Sequence, residues 1–111
     1  MNISEKKEND VTILNLDGSL MGGPEAVSLN EKINRLLDEK SLKVVLNLEQ
    51  VERVNSSGLG ILIKVLTTFS RNGGELKLAC VNPKVENLLV ITKLNTIFES
   101  YDTEESAVNS F

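Results

Sequence analysis

The segment Val54-Asn55-Ser56-Ser57-Gly58-Leu59-Gly60-Ile61 joins two apolar stretches of the chain. The stretch before it, residues 44–48, is typical of a strand, and the stretch after it, which ends at residues 72–74, is typical of a helix with a glycine stop. Asn, Ser and Gly are favoured at such a junction because the first N–H groups of a helix have no acceptor within the helix. The same N–H groups and the helix dipole also favour a phosphate. The residues alone leave open whether Asn55 to Gly58 is only a helix cap or also a site for an anion.

Length and composition predict one folded domain. The chain has 111 residues, which suits a single core, and we interpret residues 1–111 as one domain. With 41% apolar and 25% charged residues, it should fold rather than stay disordered. No stretch approaches the ~18 apolar residues of a membrane span, and the N-terminus lacks the apolar core of a secretory signal. We therefore expect a cytoplasmic protein without membrane insertion.

The residue types that the chain lacks argue against several classes of function. A net charge of −4 and 4% aromatic residues give neither the basic field nor the stacking surfaces of a nucleic-acid binder. The absence of histidine removes the usual acid–base group, the commonest metal ligand and any Ser-His-Asp triad. The single cysteine, Cys80, cannot form an internal disulfide and is interpreted as a buried strand thiol. We therefore expect no enzyme activity, no cofactor and no metal.

Three early glycines, Gly18, Gly22 and Gly23, invite comparison with a phosphate-binding loop. No Gly-Lys-Ser/Thr follows them, and residues 58–60 lack the third glycine of a dinucleotide fingerprint. We interpret the glycines of residues 17–23 as permitting tight turns and the close approach of a partner's backbone.

Periodicity and turn residues predict alternating strands and helices. An edge strand within residues 1–7 and a strand at 11–16, closed by Asp17-Gly18, should form an antiparallel hairpin. The remaining predicted elements are a helix from residues 22–25 to near 40, a strand at 43–48, a helix that stops at 72–74, a strand at 75–81, a helix from 82–83, a short strand within 97–101 and a terminal helix with Asp102 and Glu105 at capping-box spacing.

The order strand, helix, strand, helix, strand favours parallel pairing with right-handed crossovers. Successive crossovers of this kind place their helices on one face of the sheet. Loops 17–23, 49–57 and 81–83 would then leave the carboxyl ends of the strands and line one edge. Open α/β sheets commonly place their ligands at that edge.

The chain resembles the STAS domain, and in particular the stand-alone anti-sigma factor antagonists of bacteria. The resemblance is carried by the apolar run 44–48, the Asn-Ser-Ser-Gly-Leu-Gly run 55–60 and the Gly-Gly-Glu-Leu run 73–76 before a strand. It extends over nearly the whole chain, from the turn 16–18 to the stretch 94–98. It implies an α/β fold with a mixed four- to five-stranded sheet and about four helices packed mainly on one face.

The resemblance also implies a function. Members of this kind bind an anti-sigma factor that is also a serine kinase, and so release the sigma factor. The position that the kinase phosphorylates corresponds to Ser56, and a phosphatase reverses the change. Where the family usually has aspartate, this chain has Asn55, which keeps the shape and one acceptor oxygen but loses the charge. Asn55 therefore keeps an alternative open, a STAS scaffold or accessory subunit of a signalling or transport complex that is not phosphorylated.

A partner-binding surface is predicted around Ser56. It comprises Gly22, Gly23, Asn55, Ser56, Ser57, Gly58, Leu59, Ile61 and Val65. Ile61 and Val65 fall away from the centre of the apolar stripe of their helix, so they form either an exposed strip that meets the partner or a face covered by a neighbouring helix. We expect a monomer, with a dimer as the alternative, and leave open whether Ser57 can substitute for Ser56.

Overall fold

A computed structural model describes residues 1–111 as one mixed sheet with helices on both faces. The strands are β1 Asn2–Glu8, β2 Val11–Leu20, β3 Lys43–Asn47, β4 Val51–Val54, β5 Glu75–Ala79 and β6 Ser100–Tyr101. The helices are α1 Pro24–Asp38, α2 Ser56–Arg71, α3 Pro83–Ile91 and α4 Glu104–Asn109, and Leu94–Thr96 form a short 3-10 turn. No helix is long and apolar enough to cross a bilayer.

The sheet has the strand order β1-β2-β3-β5-β6, with β4 paired to the far end of β2. β1 is antiparallel to β2, as the predicted hairpin requires, and the other pairs are parallel. The main core lies between one face of the sheet and helices α1, α2 and α3. A smaller core on the other face is closed by Ala107 and Val108 of α4. The predicted fold class is confirmed, with six strands instead of four or five.

β2 is longer than the sequence predicts. Instead of closing at Asp17-Gly18 it continues to Leu20 and exchanges its partner β3 for β4. The register shifts between Gly18 and Ser19, where Gly18 has a φ of 121° that side chains rarely adopt. The Gly18 N–H donates to the Gln50 carbonyl at 3.1 Å. This bend creates the pairing site for β4, a strand that was predicted as part of loop 49–57.

The C-terminal third also departs from the prediction in detail. β5 ends at Ala79 because Cys80 takes a positive φ of 55°, which leaves the strand direction. The prediction of a buried strand thiol is therefore wrong, since Cys80 follows the strand and is partly exposed. The last strand, β6, has only two residues. The cap of α4 is Thr103 and not Asp102, because the Thr103 Oγ1 accepts the Ser106 N–H at 3.0 Å.

Polar contacts fix both ends of α4 against the sheet. At its start, Glu104 accepts hydrogen bonds from the Lys6 Nζ at 2.8 Å and from the Asn47 Nδ2 at 2.5 Å. At its end, the Lys77 Nζ donates to the Ser110 carbonyl at 3.0 Å and lies 4.4 Å from the centre of the Phe111 ring. These contacts explain why Asn47 and Lys77, which are polar, are buried under α4.

We expect Glu104 to shape the loss of stability in acid. Partial burial raises the pKa of Glu104, but hydrogen bonds from Lys6 and Asn47 outweigh it and hold that pKa below its ordinary value of 4.5. A carboxyl with a lowered folded-state pKa stabilises the fold above its unfolded pKa, and this contribution disappears as the pH falls through the folded value. Urea unfolding at neutral pH and at about pH 3 should show a smaller acid loss for Glu104→Gln than for the parent. The control is Glu105→Gln, which removes an exposed carboxyl without an ion pair. If both variants lost equally little unfolding free energy between neutral pH and the acid condition, this prediction would be contradicted.

A second stability prediction concerns Thr12. Thr12 is fully buried in β2, and its hydroxyl oxygen has no hydrogen-bond partner. Such a group destabilises a fold by about 1–3 kcal/mol. Thr12→Val, which replaces the hydroxyl by a methyl, is therefore expected to raise the free energy of unfolding in urea by about 1 kcal/mol. Thr12→Ser keeps the hydroxyl and loses the methyl, so it should lower the same quantity. A valine variant no more stable than the parent would refute the argument.

Candidate functional site

The three loops predicted at one edge of the sheet lie together. The turn between β2 and α1 contacts the start of α2, since a Cβ built on Gly22 would lie 3.4 Å from the Ser57 Cβ. The turn between β3 and β4 is bonded to Gly18 through Gln50 and to the start of α3 through Asn82. We call this edge, formed by residues 20–23, 48–57 and 82–84, the rim.

Asn82 connects two of the rim's loops. Its Nδ2 lies within hydrogen-bond distance of the carbonyls of Leu48, Glu49 and Val51, at 3.1, 3.3 and 2.7 Å. Its Oδ1 accepts the Val85 N–H at 3.0 Å and so caps α3. One side chain therefore fixes the turn that leads into β4, and β4 is the strand that directly precedes Asn55 and Ser56.

α2 begins at Ser56, with Asn55 as its cap. Asn55 has extended backbone angles, φ −116° and ψ −174°, and its Oδ1 accepts the Gly58 N–H at 2.9 Å. This is the hydrogen bond that an aspartate would make at the same place. Replacing the usual aspartate by asparagine thus preserves the start of the helix and changes only the charge beside the serines.

Ser56 and Ser57 are both exposed, and they are the first two residues of α2. Ser57 is the nearer of the two to the turn before α1, since a Cβ built on Gly22 would lie 3.4 Å from the Ser57 Cβ. Both serines present exposed side chains at the start of the helix. A phosphate added there would lie beside the positive end of the helix dipole.

Gly58 is buried and fixes where α2 begins on the sheet. A Cβ at this position would lie 1.8 Å from the Leu20 carbonyl oxygen and 2.9 Å from the Val54 Cγ2. Only a residue without a side chain allows the first turn of α2 to approach β2 and β4 this closely. Gly58 and the buried Leu59 were predicted as contact residues, but they support the rim from beneath and do not form its surface.

The predicted apolar strip at Ile61 and Val65 is not exposed. Ile61 is 8% exposed and Val65 is 0% exposed, and both belong to the main core. α2 packs against the sheet and also against α1, so apolar residues are needed on two of its sides. Ile61 and Val65 are therefore covered within the domain, and the alternative of an exposed strip that meets the partner is not what the structure shows.

The exposed apolar residue of the rim is Met21, which sequence reasoning missed. Met21 is 41% exposed and follows Leu20, the buried end of β2. After it, Gly22 and Gly23 have positive φ values of 103° and 65°, which confirms the predicted tight turn. The available signal was an apolar residue placed directly before a Gly-Gly-Pro turn, where the chain must leave the core.

The charged side chains of the rim form no ion pairs among themselves. Glu49, Glu52 and Arg53 are all exposed. A groove of about 360 Å³ beside them is lined by residues 49–52 and 82–84.

Burial, and then the negative charge of Glu49, raise the pKa of the nearby Cys80 thiol, which therefore stays protonated near neutral pH. No group of His, Cys, Asp and Glu residues is arranged to hold a metal ion.

Comparison with known proteins supports one family. The STAS domain family model matches residues 2–107. An anti-sigma F factor antagonist of Paenibacillus polymyxa is 30% identical over 111 residues, which cover 97% of this chain and 92% of that protein. A candidate anti-sigma factor antagonist of Thermotoga maritima is 38% identical over 66 residues, which cover 60% of this chain and 58% of that relative's length. The crystal structure of a candidate anti-sigma factor antagonist from Thermotoga maritima matches with a TM-score of 0.83 at 32% identity, covering 97% of this chain and 92% of that one.

Sequence and structure agree in these comparisons. The matched region includes the sheet, the three helices of the main face and the Asn-Ser-Ser-Gly turn at the start of α2. The chain therefore belongs to the STAS domain family, among relatives that are anti-sigma factor antagonists.

Proposed function

We propose that this protein is an anti-sigma factor antagonist whose rim binds an anti-sigma factor, and that phosphorylation of Ser56 by that partner ends the binding. The observation that carries the proposal is the position of Ser56, exposed at the first residue of α2 within a rim fixed by hydrogen bonds. The sigma factor is released while the anti-sigma factor is occupied. A phosphatase restores the unmodified serine. We propose a monomer acting in the cytoplasm.

The phosphate acts at the interface and not on the fold. It adds about −1.5 to −2 charges near neutral pH, next to helix N–H groups that favour an anion. The domain should therefore remain folded. Exposed Glu49 and Glu52 add to the negative field, which Arg53 offsets in part. A partner that fits the neutral serine then meets both added bulk and repulsion.

We place the phosphate on Ser56 rather than on Ser57, as the family resemblance implies. Both serines are exposed, and Ser57 is the one nearer to the turn at Gly22. Ser56 precedes it at the extreme end of the helix and is exposed. We therefore assign the modification to Ser56.

Asn55 supports a second candidate function, a STAS scaffold or accessory subunit that binds its partner without being phosphorylated. Asn55 retains the capping hydrogen bond to Gly58 at 2.9 Å, so the backbone at the serines keeps its shape without a carboxylate at this position. A kinase that needs that carboxylate to orient the serine would fail to modify the chain. The two functions differ in one observable, the phosphate on Ser56.

The test combines binding with mass spectrometry. The purified protein is mixed with the anti-sigma factor kinase encoded in the same genome and with ATP, and the complex and the modified residue are both identified. Ser57→Ala should be phosphorylated like the parent, whereas Ser56→Ala should bind and remain unmodified. No complex and no phosphate would refute the proposal. A complex without phosphate would favour the scaffold, and phosphorylation gained only by Asn55→Asp would assign the difference to the missing charge.

A further inference from the structure

Met21 differs from the other exposed apolar side chains in where it is held. The large apolar residues exposed on this chain are Met21, Val27, Val90, Ile91 and Ile97. Both chain neighbours of Met21 contact the first turn of α2, Leu20 through its carbonyl at Gly58 and Gly22 through the side chain of Ser57. Met21 therefore lies on the rim beside the serines.

The backbone that presents Met21 is fixed on both sides. Leu20 is 1% exposed and pairs with Val54 of β4. On the other side, the positive φ values of Gly22 and Gly23 turn the chain directly into α1. Because the residues on either side are fixed, exposure of Met21 follows from the fold and not from a loose loop.

An apolar side chain on a rigid support is suited to anchor a protein partner. Methionine is enriched in protein interfaces, and its unbranched thioether adapts to the shape of a cleft. A few such anchors usually carry most of the binding energy. The rim carries charges of both signs, the carboxylates of Glu49 and Glu52 and the cations of Arg53 and Lys84, so net charge does not distinguish it and its exposed apolar side chain does.

We propose that Met21 is the apolar anchor of the rim and inserts into an apolar cleft of the anti-sigma factor. This inference rests on the proposed function, because it takes the same partner as occupant. Met21 and Ser56 are each one residue away from the place where Gly22 approaches Ser57. Docking therefore places the phosphorylated residue at the border of the buried anchor, where added charge acts most strongly.

The test compares Met21→Ala with Ile91→Ala. Ile91 is 76% exposed, more than Met21, but it lies at the far end of α3, about 12 Å from the rim by helix length. The Kd for the anti-sigma factor, measured by calorimetry, should rise about tenfold or more for Met21→Ala. It should change by less than about twofold for Ile91→Ala, and Met21→Leu should restore most of the affinity.

The outcomes separate this inference from the proposed function. If the parent protein does not bind the anti-sigma factor, the proposed function fails and the anchor fails with it. If the parent binds and Met21→Ala binds equally well, only the anchor is refuted. Equal losses for Met21→Ala and Ile91→Ala would also refute it, because exposed apolar area in general would then explain the binding. Thermal unfolding of each variant verifies that the fold is intact.

Discussion

Replacing Gly58 by alanine is expected to destabilise the domain by on the order of 3 kcal/mol, or to prevent folding. The new Cβ would lie 1.8 Å from the Leu20 carbonyl oxygen, which is backbone and cannot rotate away. Leu20 is also paired with Val54, so β2 and β4 would have to separate from α2. A loss of this size is a large part of the 5–15 kcal/mol that stabilises a typical domain. Urea unfolding measures it directly.

Gly60→Ala is the matched control, two residues further along the same helix. Gly60 is exposed, and a Cβ there would have no neighbour within 4 Å. Alanine in a helix interior should then raise the free energy of unfolding by about 0.5–1 kcal/mol, because glycine loses more backbone entropy. Opposite signs for the two substitutions would confirm that the contact with Leu20 decides the effect. A Gly58→Ala variant as stable as the parent would mean that α2 does not pack on β2 as described.

The second large effect is expected for Ser56→Glu, which should bind the anti-sigma factor about thirtyfold more weakly, a loss of about 2 kcal/mol. A carboxylate at the first residue of α2 interacts favourably with the helix dipole, so the melting temperature should equal or slightly exceed that of the parent. A weaker affinity for the anti-sigma factor together with an unchanged melting temperature would show that the substitution acts at the interface and not on the fold. Calorimetric titration and thermal unfolding of the same preparations provide the two quantities.

Ser70→Glu provides the control for added charge. Ser70 is exposed on the same helix, about 21 Å along its axis from Ser56. The same negative charge there should leave the Kd unchanged and lower stability slightly, since it lies near the negative end of the dipole. If Ser56→Glu bound like the parent, the electrostatic mechanism would be wrong. If both variants lost affinity equally, net charge and not position would be responsible.

Local signals predicted the helix starts well. Asn55 and Asn82 each accept a hydrogen bond from an N–H only three residues away, at Gly58 and Val85. Because such a contact involves neighbours in the chain, it can be predicted from the sequence. The prolines at the starts of α1 and α3 are similarly local. The accessibility of Ser56 followed from this geometry, since the first residue of a helix at the edge of a sheet has few neighbours.

Features that depend on distant residues were missed. β4 has four residues, of which Glu52 and Arg53 are exposed, so its pattern resembles a loop until the bend at Gly18 supplies a partner strand. Ile61 and Val65 could not be placed because periodicity shows which side of a helix is apolar and not how many neighbours cover it. Their burial depends on the elements that pack on α2 from separate parts of the chain, which include α1 and β5.

The hydrogen bonds of Asn82 have a consequence for how fast the protein can respond. Because the Asn82 side chain holds the turn before β4 through that turn's own carbonyls, the turn resists moving away from a bulky group on the neighbouring helix. A phosphate on Ser56 would then meet the partner without any prior rearrangement of the rim. The rim itself would add no conformational delay to such a switch.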